Sequence, residues 1–170
     1  MKAFVIGIIV STILANGVVF KLPSKYNTKL QDYKDKNGGV EYSLSTFGEF
    51  YYSEVESLSV FATNEDNEFG CSRMNHPKSE TKKFIWIVER GQCNYKAKAI
   101  QAEESGAAAV LVYHDEFLAD VNNIIPSGDH LKNKVNIPVV LIQREVGDII
   151  IEALRNNEKV SVDFDFSIVF

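Results

Sequence analysis

The sequence predicts a domain of the α/β (α+β) class, built from a mixed sheet and two main helices. Two short runs of β-branched and aromatic residues, 84–88 and 108–113, flank a segment of helix-forming residues. A third run, 137–142, precedes an amphipathic segment at 143–155. The 170-residue chain is 45% hydrophobic and 24% charged, which is typical of one globular domain. Alternation of strands and helices of this length favours neighbouring parallel strands.

The first helix is predicted between the strands at 84–88 and 108–113. Asn94 is a favourable N-cap, and Gly106 suits the position just beyond the helix end. Small and aromatic residues share one helical face and would let it lie close to a sheet: Tyr95, Ala99 and Ala102.

The second helix is predicted over 143–155, directly after the strand at 137–142. Gly147 costs about 1 kcal/mol relative to alanine in a helix, so the first turn is expected to be weak. Asn156 and Asn157 would end the helix, and 160–166 alternates like a last strand. The apolar residues repeat at helical spacing: Val146, Ile149, Ile150, Ala153 and Leu154.

The N-terminal part carries weaker signals. Residues 18–38 are mostly polar, and β-prone runs follow at 40–44, 50–52 and 58–61. We therefore divide the chain into an N-terminal extension with additional strands, 18–58, and a main domain, 59–170.

Residues 1–17 are predicted to be a secretory signal peptide. Lys2 precedes a twelve-residue apolar core at 3–14, and small residues place a cleavage site after Gly17. An uncleaved anchor is the alternative, because weakly apolar residues continue to Phe20. Polar residues dilute that longer stretch: Ser11, Thr12 and Asn16. No second apolar run approaches a membrane span, so we expect the cleaved chain in the secretory lumen or outside the cell.

Charge argues against a nucleic-acid partner. Eighteen Lys and Arg face twenty-three Asp and Glu, a formal charge of −5. The predicted leader holds one lysine and no acid, which leaves −6 on the remaining chain. Binding through a broad basic surface is therefore disfavoured.

The two cysteines, Cys71 and Cys93, form an even pair in what we expect to be an oxidising compartment. This favours one disulfide, which would stabilise the fold by about 3 kcal/mol on the chain-entropy estimate. A redox or catalytic thiol is the alternative, but the sequence has no CxxC motif and no evident histidine partner.

Known catalytic motifs are absent from the sequence. It has no G-x-S-x-G elbow, no Walker A motif and no G-x-G-x-x-G. Residues 126–130 combine serine, aspartate and histidine, and we interpret them as a polar turn. We expect no catalytic residue and no cofactor.

Two oxygen-rich segments are considered as metal sites. Asn64, Asp66 and Glu68 precede Gly70, but the spacing does not match a calcium loop. The second segment follows a predicted strand and contains His114, Asp115, Glu116 and Asp120. We interpret both as solvated acidic loops without a metal, and expect His76 and His114 at the surface.

The pattern around the first helix resembles the protease-associated (PA) domain. The matching residues are the strand and turn 87–93, the strand 109–113 and the Ile-Pro strand 137–142. Within the helix and its end, the matching positions are Tyr95, Lys98, Ala99, Ala102, Gly106 and Ala107. The match covers about 59–155, and a leader followed by one such domain is similar to small secreted PA-domain proteins.

The resemblance implies a swivelling β/β/α fold with a Cys71–Cys93 bridge. In related sorting receptors the RGxC turn lines a peptide-binding surface, which points here to Arg90, Gly91 and Gln92. His114 begins the neighbouring loop and joins these candidates. Arg90 has two interpretations, a structural ion pair with Glu89 or another acid, or a donor to a peptide carbonyl or carboxylate.

We therefore expect a secreted, non-enzymatic protein that binds a peptide or another protein. The alternative is an accessory domain that docks on a separate protease or other secretory enzyme and modulates it.

Overall fold

The computed structural model describes residues 17–48, 57–78, 82–128 and 134–165. These residues form a seven-stranded mixed sheet with three α-helices. In chain order the elements are β1 (Gly17–Lys21), α1 (Ser24–Leu30), β2 (Tyr42–Leu44), β3 (Leu58–Ala62), β4 (Phe84–Glu89), α2 (Tyr95–Glu104), β5 (Ala109–Tyr113), β6 (Val139–Ile142), α3 (Arg144–Arg155) and β7 (Ser161–Asp165). The predicted α+β class is confirmed.

The strand order is β1-β7-β3-β4-β5-β6-β2. Strands β3, β4, β5 and β6 run parallel, as predicted for the strand–helix–strand unit. The outer pairs β1–β7, β7–β3 and β6–β2 are antiparallel. The backbone N–H of Val40, just before β2, donates to the Val18 carbonyl of β1 at 3.0 Å. The two edges of the sheet therefore approach each other, and the sheet is nearly a barrel.

Both faces of the sheet are buried, which explains why its central strands are apolar without alternation. Ile85 and Ile87 of β4 pack in a cluster with residues of α1 and α3. Phe84 and Trp86 face the other side, where Ala99 and other residues of α2 cover them. One helix on one face and two on the other thus enclose the parallel strands.

The predicted limits of α2 are confirmed in detail. The Asn94 side chain accepts a hydrogen bond from the backbone N–H of Ala97 at 2.8 Å. Gly106 follows the helix with φ +89°, a conformation that favours glycine. Ala99 and Ala102 are fully buried, as their shared face predicts.

Gly147 does not weaken α3 as expected, because it has a packing role. The helix begins at Arg144, and Gly147 is buried against β5. A Cβ atom at this position would lie 2.2 Å from the Cβ of Tyr113. Glycine therefore permits the close approach of α3 to the sheet.

The N-terminal extension contributes β1, α1 and β2 to the same body. Helix α1 was not predicted, because its polar sequence buries only two side chains, Tyr26 and Leu30. The predicted leader, except Gly17, and the β-prone run at 50–52 lie outside the described residues. The boundary between 58 and 59 stays a prediction.

The Cys71–Cys93 disulfide is present, with 5.8 Å between the two Cα atoms. It joins the segment after β3 to the turn after β4. Within the described ranges, no helix has the length and apolar character needed to cross a membrane.

Candidate functional site

The candidate site lies at the carboxyl ends of the parallel strands. The turn 90–93 follows β4, the loop 114–118 follows β5, and α3 begins two residues after β6. Ligands of α/β proteins commonly bind at this edge of the sheet, because the loops that leave neighbouring strands converge there.

Arg90 is held by the loop that follows β5. Its Nη1 donates to Asp115 Oδ1 at 2.7 Å and lies 2.8 Å from His114 Nε2. Burial opposes the charge of Arg90, but the hydrogen bond to Asp115 and the charges of Tyr95 and Asp115 together outweigh it, so the pKa of Arg90 is raised. Slight burial likewise opposes ionisation of Asp115, but hydrogen bonds from Arg90 and the backbone, with the charge of Arg90, together outweigh it and lower the pKa of that carboxyl. Arg90 thus forms the ion pair with a nearby acid, but the acid is not Glu89.

His114 is 2% exposed, so the prediction that it lies at the surface is wrong. Its backbone N–H donates to the Ile142 carbonyl at 3.0 Å, which continues the β5–β6 pairing and keeps the residue inside. Its Nδ1 accepts a hydrogen bond from the Glu116 backbone N–H at 2.9 Å, and its Nε2 lies 2.8 Å from Arg90 Nη1. His114 therefore contacts Arg90 from its buried side.

Gly91 and Gln92 form a tight turn with φ +121° and +58°. The Cys93 N–H donates to the Gly91 carbonyl at 2.7 Å. A Cβ on Gly91 would meet the Phe69 ring at 3.2 Å, so the turn packs closely on the preceding loop. Gln92 is exposed beside the disulfide.

Lys98 is a functional element that the sequence analysis did not single out. It is fully buried, and its Nζ donates to the carbonyls of Phe69, Glu89 (3.0 Å) and Gly91 (2.9 Å). Burial lowers its pKa to about 8, against the charge of Glu89. Lys98 lies three residues after Tyr95 and four before Ala102, on the predicted buried face. That position was the available signal, because a lysine there must find acceptors.

Tyr95 has a polar role besides packing. Its hydroxyl is buried and makes no hydrogen bond with any described residue. Burial raises the pKa of Tyr95, while the nearby charge of Arg90 opposes that effect. The Arg90 guanidinium lies next to this hydroxyl, and 37% of the Arg90 side chain is exposed. A partly exposed cationic donor and a hydroxyl therefore lie close together.

Arg144, at the start of α3, connects the two loops. Its Nη1 donates to Glu89 Oε1 at 2.7 Å and to the Asp115 carbonyl at 3.3 Å. Its guanidinium also lies 5.4 Å from the ring centre of Phe117. Glu89, named as a possible partner of Arg90, is thus paired with Arg144 instead.

The two oxygen-rich segments, 64–68 and 114–120, do not bring their side chains together. Within the described part of the chain, no three His, Cys, Asp or Glu side chains are grouped to hold a metal. Asp120 instead accepts hydrogen bonds from the Asn122 N–H at 3.2 Å and from Asn123 Nδ2 at 2.6 Å. Asp66 lies in a short 3-10 helix, Glu65–Asn67. His76 is exposed, as expected.

Comparison with known proteins gives a family match. The family model described as PA domain matches residues 55–150, more than half of the chain. Vacuolar-sorting receptor 5 of Arabidopsis thaliana is 32% identical over 130 residues, 74% of this chain and 21% of that protein. Signal peptide peptidase-like 3 of Oryza sativa subsp. japonica is 30% identical over 93 residues, 55% of this chain and 17% of that protein. The chain thus spans about a fifth of the length of these relatives.

Among solved structures, a zinc aminopeptidase from Bacillus subtilis aligns with a TM-score of 0.49 and 19% identity. The alignment covers 88% of this chain and 31% of the aminopeptidase chain.

Proposed function

This chain belongs to the PA domain family, and we propose that it is a secreted, non-enzymatic module that binds a peptide or another protein. The proposal draws support from its similarity to a protein named as a sorting receptor. It draws further support from the donors gathered at the carboxyl ends of β4 and β5.

One observation carries the proposal: the Arg90 guanidinium is held in place by its neighbours, but part of it remains accessible to a ligand. Its Nη1 donates to Asp115 and lies against His114, while 37% of the side chain remains exposed. The buried Tyr95 hydroxyl lies beside this guanidinium, and no described residue accepts its proton. A buried polar group without a partner is costly, so a ligand oxygen that accepts from these donors would be bound favourably.

The ligand class follows from the charge of these groups. A guanidinium and a phenol hydroxyl donate to oxygen, which suits a peptide carbonyl or carboxylate. The exposed Gln92 and the backbone amides of the turn at 91–92, close to the start of α2, would add attraction for a negative group. His114 contributes through Arg90, because it is buried beneath it.

A secretory location is part of the proposal. The disulfide supports an oxidising compartment, and the predicted leader supports entry into it. N-terminal sequencing of the chain from a secretory host should give Val18 as the first residue. Retention of residues 1–17 would favour the anchored alternative.

Calorimetric titration against secretome-derived peptides tests the binding site. Each peptide should be compared with a free carboxyl terminus and with an amide. We expect Arg90→Ala to weaken binding at least tenfold and Tyr95→Phe to weaken it severalfold, because each removes a donor. Arg155→Ala is the matched control, since this exposed arginine ends α3 far from the turn.

Binding that is unchanged in Arg90→Ala would remove the proposed site. Lack of any binding by the intact protein would remove the proposed function. Turnover of ester or peptide substrates by the pure chain would contradict the non-enzymatic assignment.

The second candidate is an accessory domain that docks on a separate protease or other secretory enzyme. The similarity to a protein named as a signal peptide peptidase-like protein favours it. Affinity purification from a secretory fraction distinguishes the two. A stoichiometric enzyme partner would favour this candidate, and recovery of peptides alone would favour the first.

A further inference from the structure

The loop after β5 presents a leucine to solvent in an unusual conformation. Leu118 is 88% exposed, and its φ is +56°, in the left-handed region that leucine rarely adopts. Phe117 beside it is 66% exposed. Neither exposure nor this backbone conformation contributes to folding, so both call for another explanation.

The exposed leucine is held rigidly from the side of α3. The Leu118 backbone N–H donates to Glu145 Oε1 at 2.7 Å. Arg144 binds the Asp115 carbonyl at 3.3 Å and lies over the Phe117 ring. Rigid presentation reduces the ordering cost of binding, which distinguishes this leucine from one on a loose loop.

A cleft of about 290 Å³ adjoins Leu118. Its charged lining consists of Asp32, Asp35, Glu41 and Glu145 against Lys34 alone. Asp35 accepts hydrogen bonds from two backbone N–H groups, Glu41 accepts one from Gln143, and Lys34 donates to the Asn27 side chain. All these partners are neutral, so four carboxylates against one ammonium favour a cationic occupant and oppose an anionic one.

Glu145 links the leucine to the cleft and has unused bonding capacity. Its Oε1 holds Leu118, while Oε2 is buried and accepts no hydrogen bond from any described residue. A carboxylate oxygen without a donor is costly in a buried position. A cationic donor that enters the cleft would satisfy it after a small movement.

We propose that Leu118 and this cleft form a docking surface for a protein partner that presents a lysine or arginine beside an apolar side chain. The basic group enters the acidic cleft, and the apolar neighbour packs on Leu118. This surface adjoins the Arg90 site, because both use the loop 114–118, but it has the opposite charge preference.

NMR titration of the ¹⁵N-labelled chain with capped peptides tests this surface. The probes are Ac-Gly-Leu-Arg-Gly-NH₂ and its counterpart with Glu in place of Arg. Both lack a free terminal carboxylate, and binding of the glutamate side chain at Arg90 would appear as shifts at 90–92 and not at the cleft residues. We expect saturable shifts at 32–35, 41, 118 and 143–145 with the arginine peptide only, weakened by added salt.

Two variants sharpen the test, each with a control. Leu118→Gly removes the exposed side chain and suits the positive φ, and Asp32→Asn removes an exposed charge. Each should lower the affinity for the arginine peptide at least threefold. Ile125→Ala and Asp66→Asn remove an exposed apolar group and an acid outside the cleft, and should leave affinity unchanged.

The proposal is overturned if the arginine peptide produces no saturable shifts at these residues up to 10 mM, or if the glutamate peptide produces the same shifts. Adsorption of the loop to phosphatidylserine vesicles without any peptide-dependent shift would also overturn it, in favour of a membrane surface. Tyr95→Phe removes a donor of the Arg90 site but leaves the Arg90–Asp115 pair in place. It should not affect this titration, so failure of one site is distinguishable from failure of the other.

Discussion

The turn 90–93 and the loop 115–118 follow neighbouring parallel strands, yet they are held in place by different means. The turn is fixed by a disulfide and by a buried ammonium, that of Lys98, which binds three carbonyls. The loop is fixed by partly exposed ion pairs of Arg90 and Arg144. The turn should therefore keep its geometry in salt, whereas the loop should respond to salt and to single charge changes.

The largest expected effect is loss of the disulfide. The double variant Cys71→Ala/Cys93→Ala should lower the free energy of unfolding by about 3 kcal/mol, because the unfolded chain loses a constraint. Urea unfolding measures this loss, and the reduced wild type should match the variant. Amide shifts of the loop 115–118 should change little. An unchanged midpoint under reduction would contradict the assigned role of the bridge.

Lys98→Met should have the second largest effect. It removes the donor that three backbone carbonyls share and should cost about 2 kcal/mol. The turn 90–93 should lose protection in hydrogen exchange, while the loop 115–118 keeps it. Lys83→Met, at an exposed lysine, serves as a control for loss of charge. Equal destabilisation by both substitutions would remove the distinction between the two regions.

The pH dependence of Lys98 has a defined sign. Its pKa is about 8 in the folded chain and near 10.5 when exposed. Between these values the unfolded chain binds the extra proton, so this group makes stability rise with pH. The difference in unfolding free energy, wild type minus Lys98→Met, should therefore increase from pH 8 to 10.5. It should be constant below about pH 7, where both states are protonated. A decrease between pH 8 and 10.5 would contradict burial of the charged form.

Sequence alone predicted much of the region around the turn, because its signals are local. Asn94 and Gly106 set the limits of α2, and the cysteine pair indicated the bridge. The contacts of Lys98 could not be read in the same way, since one acceptor, the Phe69 carbonyl, lies 29 residues away in another loop. The burial of His114 depends on β6, whose pairing with β5 is a tertiary contact. Gly147 was expected to weaken α3, because the sequence does not show that this position lies against Tyr113.

The N-terminal part gives a second example of structure that the sequence alone does not predict. Helix α1 has a polar sequence and buries only Tyr26 and Leu30, so its helical conformation depends on packing against α3. The cleft beside Leu118 could not be predicted either, because it joins Asp32 and Glu41 to Glu145 across more than a hundred residues. Sites built from one segment are visible in sequence, and sites assembled by the fold are not.

Arg144→Gln should produce a smaller effect, confined to the loop. It breaks the pairs with Glu89 and the Asp115 carbonyl, and partly exposed pairs contribute about 1 kcal/mol or less. Hydrogen exchange of the Leu118 amide should become faster, and 1 M salt should produce part of the same change in the wild type. Arg155→Gln is the control. Faster exchange in the turn 90–93 instead would contradict independent fixation of the two regions.

The smallest expected effect has the opposite sign. Leu118→Gly should stabilise the chain by about 0.5 kcal/mol, because glycine adopts positive φ without the steric cost that leucine incurs. The side chain is almost fully exposed, so its removal sacrifices little burial. Leu118→Ala retains the strained backbone and should be neutral, which separates backbone relief from side-chain loss in parallel thermal melts. Destabilisation by glycine would show that Leu118 supports the fold, and its exposure would then no longer favour a docking role.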